Sequence, residues 1–339
     1  MTSLSTSTTD FIPHCKPSIN EADIAAVEKV MRSGQLACGS VCKEFEAALA
    51  ERLGWKHACV VSSGTAALTL VFGSLDFVIL PAYSCLSILC AAQTAQVSYR
   101  FARRTNAASW CSAAREFETT SDLLVHTHGV VDPSMIRPNT IEDATMSLGA
   151  VVPMAKQGRT CVSSFYATKM ICCGEGGVIL SNDWYEDERY RQRRDCREPR
   201  WSNQANYKMT DVEAALGLSQ LQRLDSFLSA RAEIAKIYNE AIQNRGLLLP
   251  PQERFPNSVY GRYVILVPDR DRVRIEMMAR GIECGVGIEK PLNFDCRSSR
   301  DMDSVTDQLC ESSISLPIYP DLGEKKAKRV ITALLEVLQ

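Results

Sequence analysis

The chain has few histidines, almost no net charge and no long apolar run, and each shortage removes a class of function. Four histidines in 339 residues leave little for a His-based metal centre. Cys38-Gly39-Ser40-Val41-Cys42 and the Cys172-Cys173 pair are the sharper metal candidates, but neither has a matching second pair. A formal net charge of −2 offers nothing to a polyanion in bulk, so nucleic acid is not expected as a partner. No apolar stretch reaches membrane-spanning length and no signal-peptide pattern is seen, which points to a cytoplasmic protein with no membrane partner. There is no internal repeat. Cysteine, by contrast, is plentiful: fourteen are scattered through helix-like and strand-like runs of a chain too long to need stapling. They read most simply as small buried hydrophobes in a reducing compartment.

A hydrophobic content of 45% over this length can bury a sizeable core and suggests one large and one smaller domain. After a disordered-looking Ser/Thr start at residues 2–9, amphipathic helices alternate with short apolar strands from about Asn20 to Asp225. The strands are expected at Cys59–Val61, Val78–Leu80, Leu123–Val125, Thr140–Ile141, Val162–Ser164 and Val178–Leu180. Such alternation gives an α/β fold with a mainly parallel sheet, whose ligands sit beyond the carboxyl ends of the strands. A helical pattern through Arg231, Ile234, Ile237 and Tyr238 leads into a smaller α+β unit. That unit has a strand at Tyr263–Val267, a helix near Arg272–Arg280 closed by Gly281, and a strand at Gly285–Ile288. Residues 1–225 form the large domain in this reading and 226–339 the small one. The arginine-rich stretch from Arg189 to Arg200 reads as a solvated helix face, the alternative being a basic rim for a substrate's phosphates. Alternation after Leu123-Leu124-Val125 would put His126 and His128 on one face of a strand end, in a structural or substrate-facing role.

Three local patterns carry chemistry. In Ser163-Ser164-Phe165-Tyr166-Ala167-Thr168-Lys169, a lysine stands between two β-like runs, with a hydroxyl before it and the glycines Gly174, Gly176 and Gly177 after it. That is the setting of a Schiff-base lysine for pyridoxal 5′-phosphate (PLP), although a loop lysine is more often a solvated charge. Asp143, leaving a short apolar run, can hold a pyridine nitrogen protonated; its bland role is to cap a helix starting at Ala144. Ser63-Gly64-Thr65-Ala66 follows an apolar strand and opens a helix, whose free N–H groups and neighbouring hydroxyls suit a dianionic phosphate. Further on, Thr210 or Asp211 can cap a helix with apolar positions at Val212, Ala215, Leu216, Leu218 and Leu221.

Together these segments resemble the DegT/DnrJ/StrS family of PLP-dependent aminotransferases, the fold-type-I enzymes that place amino groups on keto sugars and aminocyclitols. The resemblance runs from Ile12-Pro13-His14-Cys15-Lys16-Pro17 through Arg32-Ser33-Gly34-Gln35-Leu36 and the Ser63 turn to Leu316-Pro317-Ile318-Tyr319-Pro320. It implies a large domain with a mainly parallel sheet and a smaller C-terminal α+β domain. It gives Lys169 the Schiff-base and proton-shuttle roles, Asp143 the pyridine nitrogen, and Ser164 with Gly64-Thr65-Ala66 the phosphate. It also implies a homodimer in which Asn206 reaches the cofactor phosphate of the neighbouring subunit.

Two positions depart from the family pattern. Met146 stands where relatives have a glutamine that hydrogen-bonds near the cofactor's phenolic oxygen, and a thioether cannot donate that bond. Cys85 stands where relatives put an aromatic residue on the ring, so stacking falls to Cys85 itself, to Tyr83 in a shifted register or to another residue. The implied reaction moves an amino group from glutamate or glutamine, by way of pyridoxamine phosphate, to a keto sugar, most often nucleotide-linked in similar proteins, as a step of amino sugar biosynthesis. A PLP-dependent sugar dehydratase, known in the family where histidine replaces the lysine, is the second enzymatic reading, and Lys169 argues against it. A catalytically silent PLP-binding homologue is the third, kept open by Met146 and Cys85. The choice of sugar is expected to depend on Gln35-Leu36 and on the Gly287 to Asn293 segment.

Overall fold

The computed structural model describes residues 11–102, 105–111, 121–150, 158–197, 204–245, 248–293 and 304–339. The polar start at residues 2–9, the end of the arginine stretch at 198–200 and the segment following Asn293 lie outside the described residues. Helices α1 (Glu21–Ser33) and α2 (Ser40–Leu53) precede strand β1 (His57–Val61) and helix α3 (Gly64–Phe72). Strand β2 (Phe77–Leu80), helix α4 (Leu86–Thr94) and strands β3 (Ser98–Phe101), β4 (Ser121–Val125), β5 (Thr140–Asp143), β6 (Thr160–Ser164) and β7 (Gly177–Ser181) follow. They form one sheet of order β1-β7-β6-β5-β4-β2-β3. Only β7 runs antiparallel to its neighbours. Strands β1, β2 and β7 are mostly apolar and buried nearly throughout because helices cover the sheet.

Helices α5 (Trp184–Arg194), α6 (Asp211–Leu221) and α7 (Leu224–Gln243) come next. Thr210 caps α6 in a capping box with Glu213. Asp211 serves another helix. Its carboxylate accepts from the backbone N–H of Gly39 (2.8 Å) and Cys42 (3.0 Å), capping α2, whose own N-cap glycine has no side chain to do so. The chain ends in a three-stranded antiparallel sheet of order β8-β10-β9, built from β8 (Tyr263–Leu266), β9 (Gly285–Val286) and β10 (Ser313–Leu316). Helices α8 (Arg270–Ala279) and α10 (Gly323–Val337) share its core, through Val273, Met277, Val330 and Leu334. A short helix α9 (Ser304–Ser312) leads into β10. Helix α7 joins the two cores: Leu224 and Phe227 pack with Phe45 and Phe165, whereas Ile234, Tyr238 and Ile242 pack on the small sheet. Ile12 bridges to Ile282, so the N-terminal segment belongs to the small sheet's core.

The arginines of α5 correct the sequence reading. Arg191 and Arg194 turn inward to the buried Glu46 of α2, at 2.6 and 3.0 Å, and Arg194 also donates to the carbonyl of Val60 in β1. Neither a solvated face nor a substrate rim results. The guanidinium groups tie α2, α5 and β1 together, which sequence spacing cannot show because Glu46 lies far back in the chain. The histidine pair also separates. After β4 a 3₁₀ turn at Thr127–Gly129 puts His128 in the left-handed region (φ 57°), so His126 faces Glu142 at 2.9 Å while His128 turns to Tyr83. No helix starts at Ala144; Asp143 instead accepts from the N–H of Thr145 at 2.9 Å in a turn. Every cysteine among the described residues is a free thiol, and no metal-ligating cluster occurs among them. No helix of the described residues is long and apolar enough to cross a membrane.

Candidate active site

A cavity of about 1020 Å³ opens where the carboxyl ends of β2, β4, β5 and β6 meet the small sheet. That places it beyond the strand ends, as the fold class leads one to expect. Its volume is at the upper end for a small-molecule site.

One wall is the start of α3. Ser63 caps the helix by accepting from the N–H of Ala66 at 3.0 Å, which leaves the first-turn N–H groups of Gly64 and Thr65 without an acceptor inside the helix. Gly64 is required here: a Cβ on it would stand 2.8 Å from the Cβ of Ser164, at the end of β6. Gly177 is equally constrained, since its Cβ would lie 2.6 Å from the Ser63 carbonyl. Two glycines therefore let the helix start, β6 and β7 close into a cradle with the hydroxyls of Thr65 and Ser164 on its rim. Ala66 does not line the cavity; its N–H belongs to the cap.

Lys169 reaches the cavity from the hairpin that joins β6 to β7. The hairpin is held by Phe165 N–H to Gly176 O (2.8 Å), Cys173 N–H to Phe165 O (2.8 Å) and the Tyr166 to Gly174 bridge. The Nζ of Lys169 lies 3.6 Å from the Sδ of Met146. Burial first and the Arg262 charge second push its amine below the ordinary lysine value. Asp143 ends β5, is buried and lines the same cavity, as does Met146. Gly261 holds the adjoining chain tight against Met146, whose carbonyl would be 2.0 Å from a Cβ at that position.

Tyr83 and Cys85 both border the cavity, by different means. Tyr83 is buried beside Trp110 and Val264, its hydroxyl bonded to His128 Nε2 at 3.2 Å and its ring edge-on to that imidazole. Cys85 is exposed at the N-cap of α4, its Sγ 2.8 Å from the Ser87 hydroxyl. Asn206 lies apart, exposed in the chain leading to α6 and outside the cavity. Of the two segments expected to select the substrate, Gly287 to Leu292 lines the cavity; Gln35 borders a separate hollow between α1, α2 and α6.

The structure adds His14 and Arg262, which sequence reasoning missed, and brings His128, read there as structural or substrate-facing, to the cavity wall. His14 enters with Nε2 2.9 Å from the Ser315 hydroxyl, and burial followed by the Arg262 charge pushes it down to about 4. His128 is pushed down to about 3 by burial and then by Arg262. Both imidazoles are therefore neutral at pH 7. Arg262 itself heads β8 and lines the cavity. The only available signal was a lone cation before the apolar run Tyr263-Val264-Ile265-Leu266.

A sequence profile of the DegT/DnrJ/EryC1/StrS aminotransferase family matches residues 17–102 and 139–335. The chain belongs to this family. Among solved structures, it is similar to Helicobacter pylori PseC, an aminotransferase involved in the biosynthesis of pseudoaminic acid, at 23% identity and a TM-score of 0.85, covering 97% of this chain and 99% of that one. It is also similar to AtS13 from Actinomadura melliaura, at 26% identity and a TM-score of 0.83, with coverage of 97% and 99%. Spr1654 from Streptococcus pneumoniae, solved in its PLP form, matches at 21% identity and a TM-score of 0.81, covering 97% of this chain and all of that one. The fold is that of the fold-type-I PLP transferases.

The DegT/DnrJ/EryC1/StrS aminotransferases depend on PLP, and the cavity suits that cofactor. The glycine-permitted cradle at the start of α3 matches a phosphate in shape and in donors, and a buried carboxylate and a lysine with a lowered pKa share its cavity. When bound, PLP supplies an electron sink for the substrate's α-carbon.

The departure at Met146 can be tested directly. Met146→Gln puts an amide donor where the thioether now stands beside Lys169, and a donor near the phenolic oxygen favours its anionic form. The pH at which the bound cofactor's visible band changes is expected to fall by about one unit, read by spectrophotometric titration. An unchanged curve would mean that another group already supplies the contact.

Proposed function

We propose that the chain transfers an amino group from glutamate or glutamine to the keto group of a sugar, in a site completed by the second subunit of a homodimer. The observation that carries this reading is the meeting, in one cavity, of a lysine with a lowered pKa, a buried aspartate and a phosphate-shaped helix start. Lys169 would hold the cofactor and, once the donor's amine has displaced it, would serve as the base that takes the proton from the substrate's α-carbon. Its lowered pKa suits both roles, because a neutral amine is nucleophile and base. Asp143 keeps the pyridine nitrogen protonated. Gly64, Thr65 and Ser164 hold the phosphate.

The cavity exceeds what the cofactor fills, and its outer wall is the Gly287 to Leu292 segment, pinned by Leu292 N–H to Ala82 O at 2.9 Å. That surplus supports a nucleotide-linked sugar as the acceptor, in a step of amino sugar biosynthesis. The retained lysine speaks against the dehydratase. Of the domain division, we place the boundary within the first turns of α7, where its packing passes from one core to the other.

The deciding experiment is the half-reaction. The protein loaded with PLP, given glutamate or glutamine, is expected to pass to the pyridoxamine form, and that form is expected to be discharged by one of a panel of nucleotide-linked keto sugars. If PLP binds and no amino acid discharges it, the silent homologue is the better account.

A further inference from the structure

Two thiols meet at the start of α2, where the transfer reaction gives them nothing to do. Cys38 stands two residues before Ser40, the first residue of the helix, and Cys42 is the third, so the chain turns between them at Gly39. That turn is held from outside the helix. The Asp211 carboxylate accepts from the N–H groups of Gly39 (2.8 Å), Cys42 (3.0 Å) and Val41 (3.3 Å), and the N–H of Asp211 donates to Leu36 O at 3.1 Å. Glycine is needed at 39, because a Cβ there would stand 2.7 Å from Asp211 Oδ2. Cys42 is buried, with its Sγ 3.5 Å from the Met209 carbonyl oxygen. Cys38 is half-buried and packs on the cluster that holds Cys42, Phe45 and Met209. The two sulfurs are hydrogen-bonded to each other, Cys42 donating. Neither lines the cavity at the strand ends. A fixed backbone thus brings together two thiols, one reachable from solvent and one behind it, which is the arrangement a disulfide needs before it can close.

We propose that Cys38 and Cys42 are a peroxide-sensitive dithiol that closes to a disulfide, Cys38 taking the first oxidation and Cys42 resolving it. In the first step the Cys38 thiolate attacks one peroxide oxygen and the O–O bond breaks. Cys38 becomes a sulfenic acid, and the leaving hydroxide takes up the thiol's proton as water. In the second step the Cys42 sulfur attacks the sulfenic sulfur, the S–S bond forms, and the sulfenic hydroxyl leaves with the Cys42 proton as a second water. Two thiols lose two electrons, and one hydrogen peroxide is reduced to two waters. The order of attack follows from the surroundings. The hydrogen bond from Cys42 holds Cys38 down to about 7, with the Arg194 cation assisting and burial and the Glu46 and Asp195 carboxylates opposing. The same bond pushes Cys42 up, as do its burial and the Asp211 carboxylate, so Cys42 stays protonated while Cys38 is a thiolate. Oxidation of Cys38 removes that thiolate, and with it the largest obstacle to deprotonating Cys42. Cys172 and Cys173 provide a contrast within the same chain: both are buried, and burial pushes both thiols up.

Two measurements on the full chain test the pair. Trypsin cuts after Arg32 and Lys43, so both sulfurs fall in one peptide, residues 33–43. In the first, the folded protein meets hydrogen peroxide at neutral pH, remaining thiols are blocked with iodoacetamide, and the peptide is weighed. The wild-type peptide is expected to be lighter by two hydrogens and free of alkyl groups, and to regain two alkylatable thiols after dithiothreitol. Its oxidation is expected to run at least about tenfold faster than that of the peptide holding Cys172 and Cys173. Cys42→Ser is expected to stop at a Cys38 sulfenic acid that dimedone traps, and Cys38→Ser to leave Cys42 reduced. A peptide that stays reduced, that ends as sulfinic acid in the wild type, or whose sulfurs pair with another cysteine overturns the proposal. The second measurement follows the rate of Cys38 alkylation against pH with no oxidant present. The wild-type midpoint is expected near 7. It is expected to rise by at least about one unit in Cys42→Ala, which removes the donor, and to move less in Cys42→Ser, which keeps one. A wild-type midpoint at the ordinary thiol value, or one unmoved in Cys42→Ala, overturns the pairing, and the wild-type arms decide even where a variant fails to fold.

Discussion

Lys169→Ala and Lys169→Arg are both expected to lower turnover by at least about 10⁴-fold, because in the proposed reaction each removes the nucleophile and proton carrier. The arginine variant is the more telling. Arginine restores positive charge and length but stays protonated and offers no nucleophilic nitrogen, so a merely electrostatic role for Lys169 would survive the exchange. The cavity already contains the cation of Arg262, and it is that charge, after burial, which lowers the lysine. A second permanent cation beside it would be repelled further. Cofactor content, released by alkali and measured by absorbance, is expected to remain near that of the wild type in both variants, since the proposed phosphate site at Gly64, Thr65 and Ser164 is untouched. In the wild type, borohydride is expected to bleach the yellow colour and leave the label on the peptide containing Lys169. Turnover retained in Lys169→Arg, or a label on another residue, would remove Lys169 from the chemistry.

The parts of this molecule that could be read from the sequence are those in which cause and consequence are neighbours in the chain. Apolar runs ending in a polar residue gave β1, β2, β4, β5, β6 and β7, and the same local grammar singled out Gly64, Asp143, Ser164 and Lys169, which the fold then brings to one cavity. β3 was missed because Ser98-Tyr99-Arg100-Phe101 alternates at a sheet edge with little apolar content. β10 was missed although it is the central strand of the small sheet. Its Ser313 and Ser315 are fully buried, an arrangement that pattern counting treats as polar and outward.

Long-range pairings were the other loss. Glu46 with Arg191 and Arg194, and His126 with Glu142, satisfy buried charges and polar groups by contacts that no spacing rule anticipates. His14 and Arg262 reach the cavity only because the N-terminal segment and β8 belong to the small sheet, packed over the strand ends of the large one. A site assembled from two layers shows only one of them to a reader moving along the chain.

Mixing two inactive variants is expected to restore activity if the site is shared between subunits. Asn206 is exposed and outside its own cavity, yet its neighbour Tyr207 is tied to the phosphate turn, its carbonyl accepting from Ser62 N–H at 2.7 Å. The loop is thus held next to the cradle while the amide is turned out of it, as a group serving a second subunit would be. In a two-fold dimer the Asn206 of each subunit would complete the site of the other. Homodimers of Lys169→Ala have two dead sites, and homodimers of Asn206→Ala have two sites weakened at the phosphate. A hybrid has one site carrying both lesions and one carrying neither. Random re-association makes about half of the dimers hybrid, each with one intact site, so about a quarter of the native activity is expected to return. Both tags must be recovered together to prove that hybrids formed, and the return must follow their abundance. Hybrids that form and stay inactive would place Asn206 outside the site and leave each subunit to work alone.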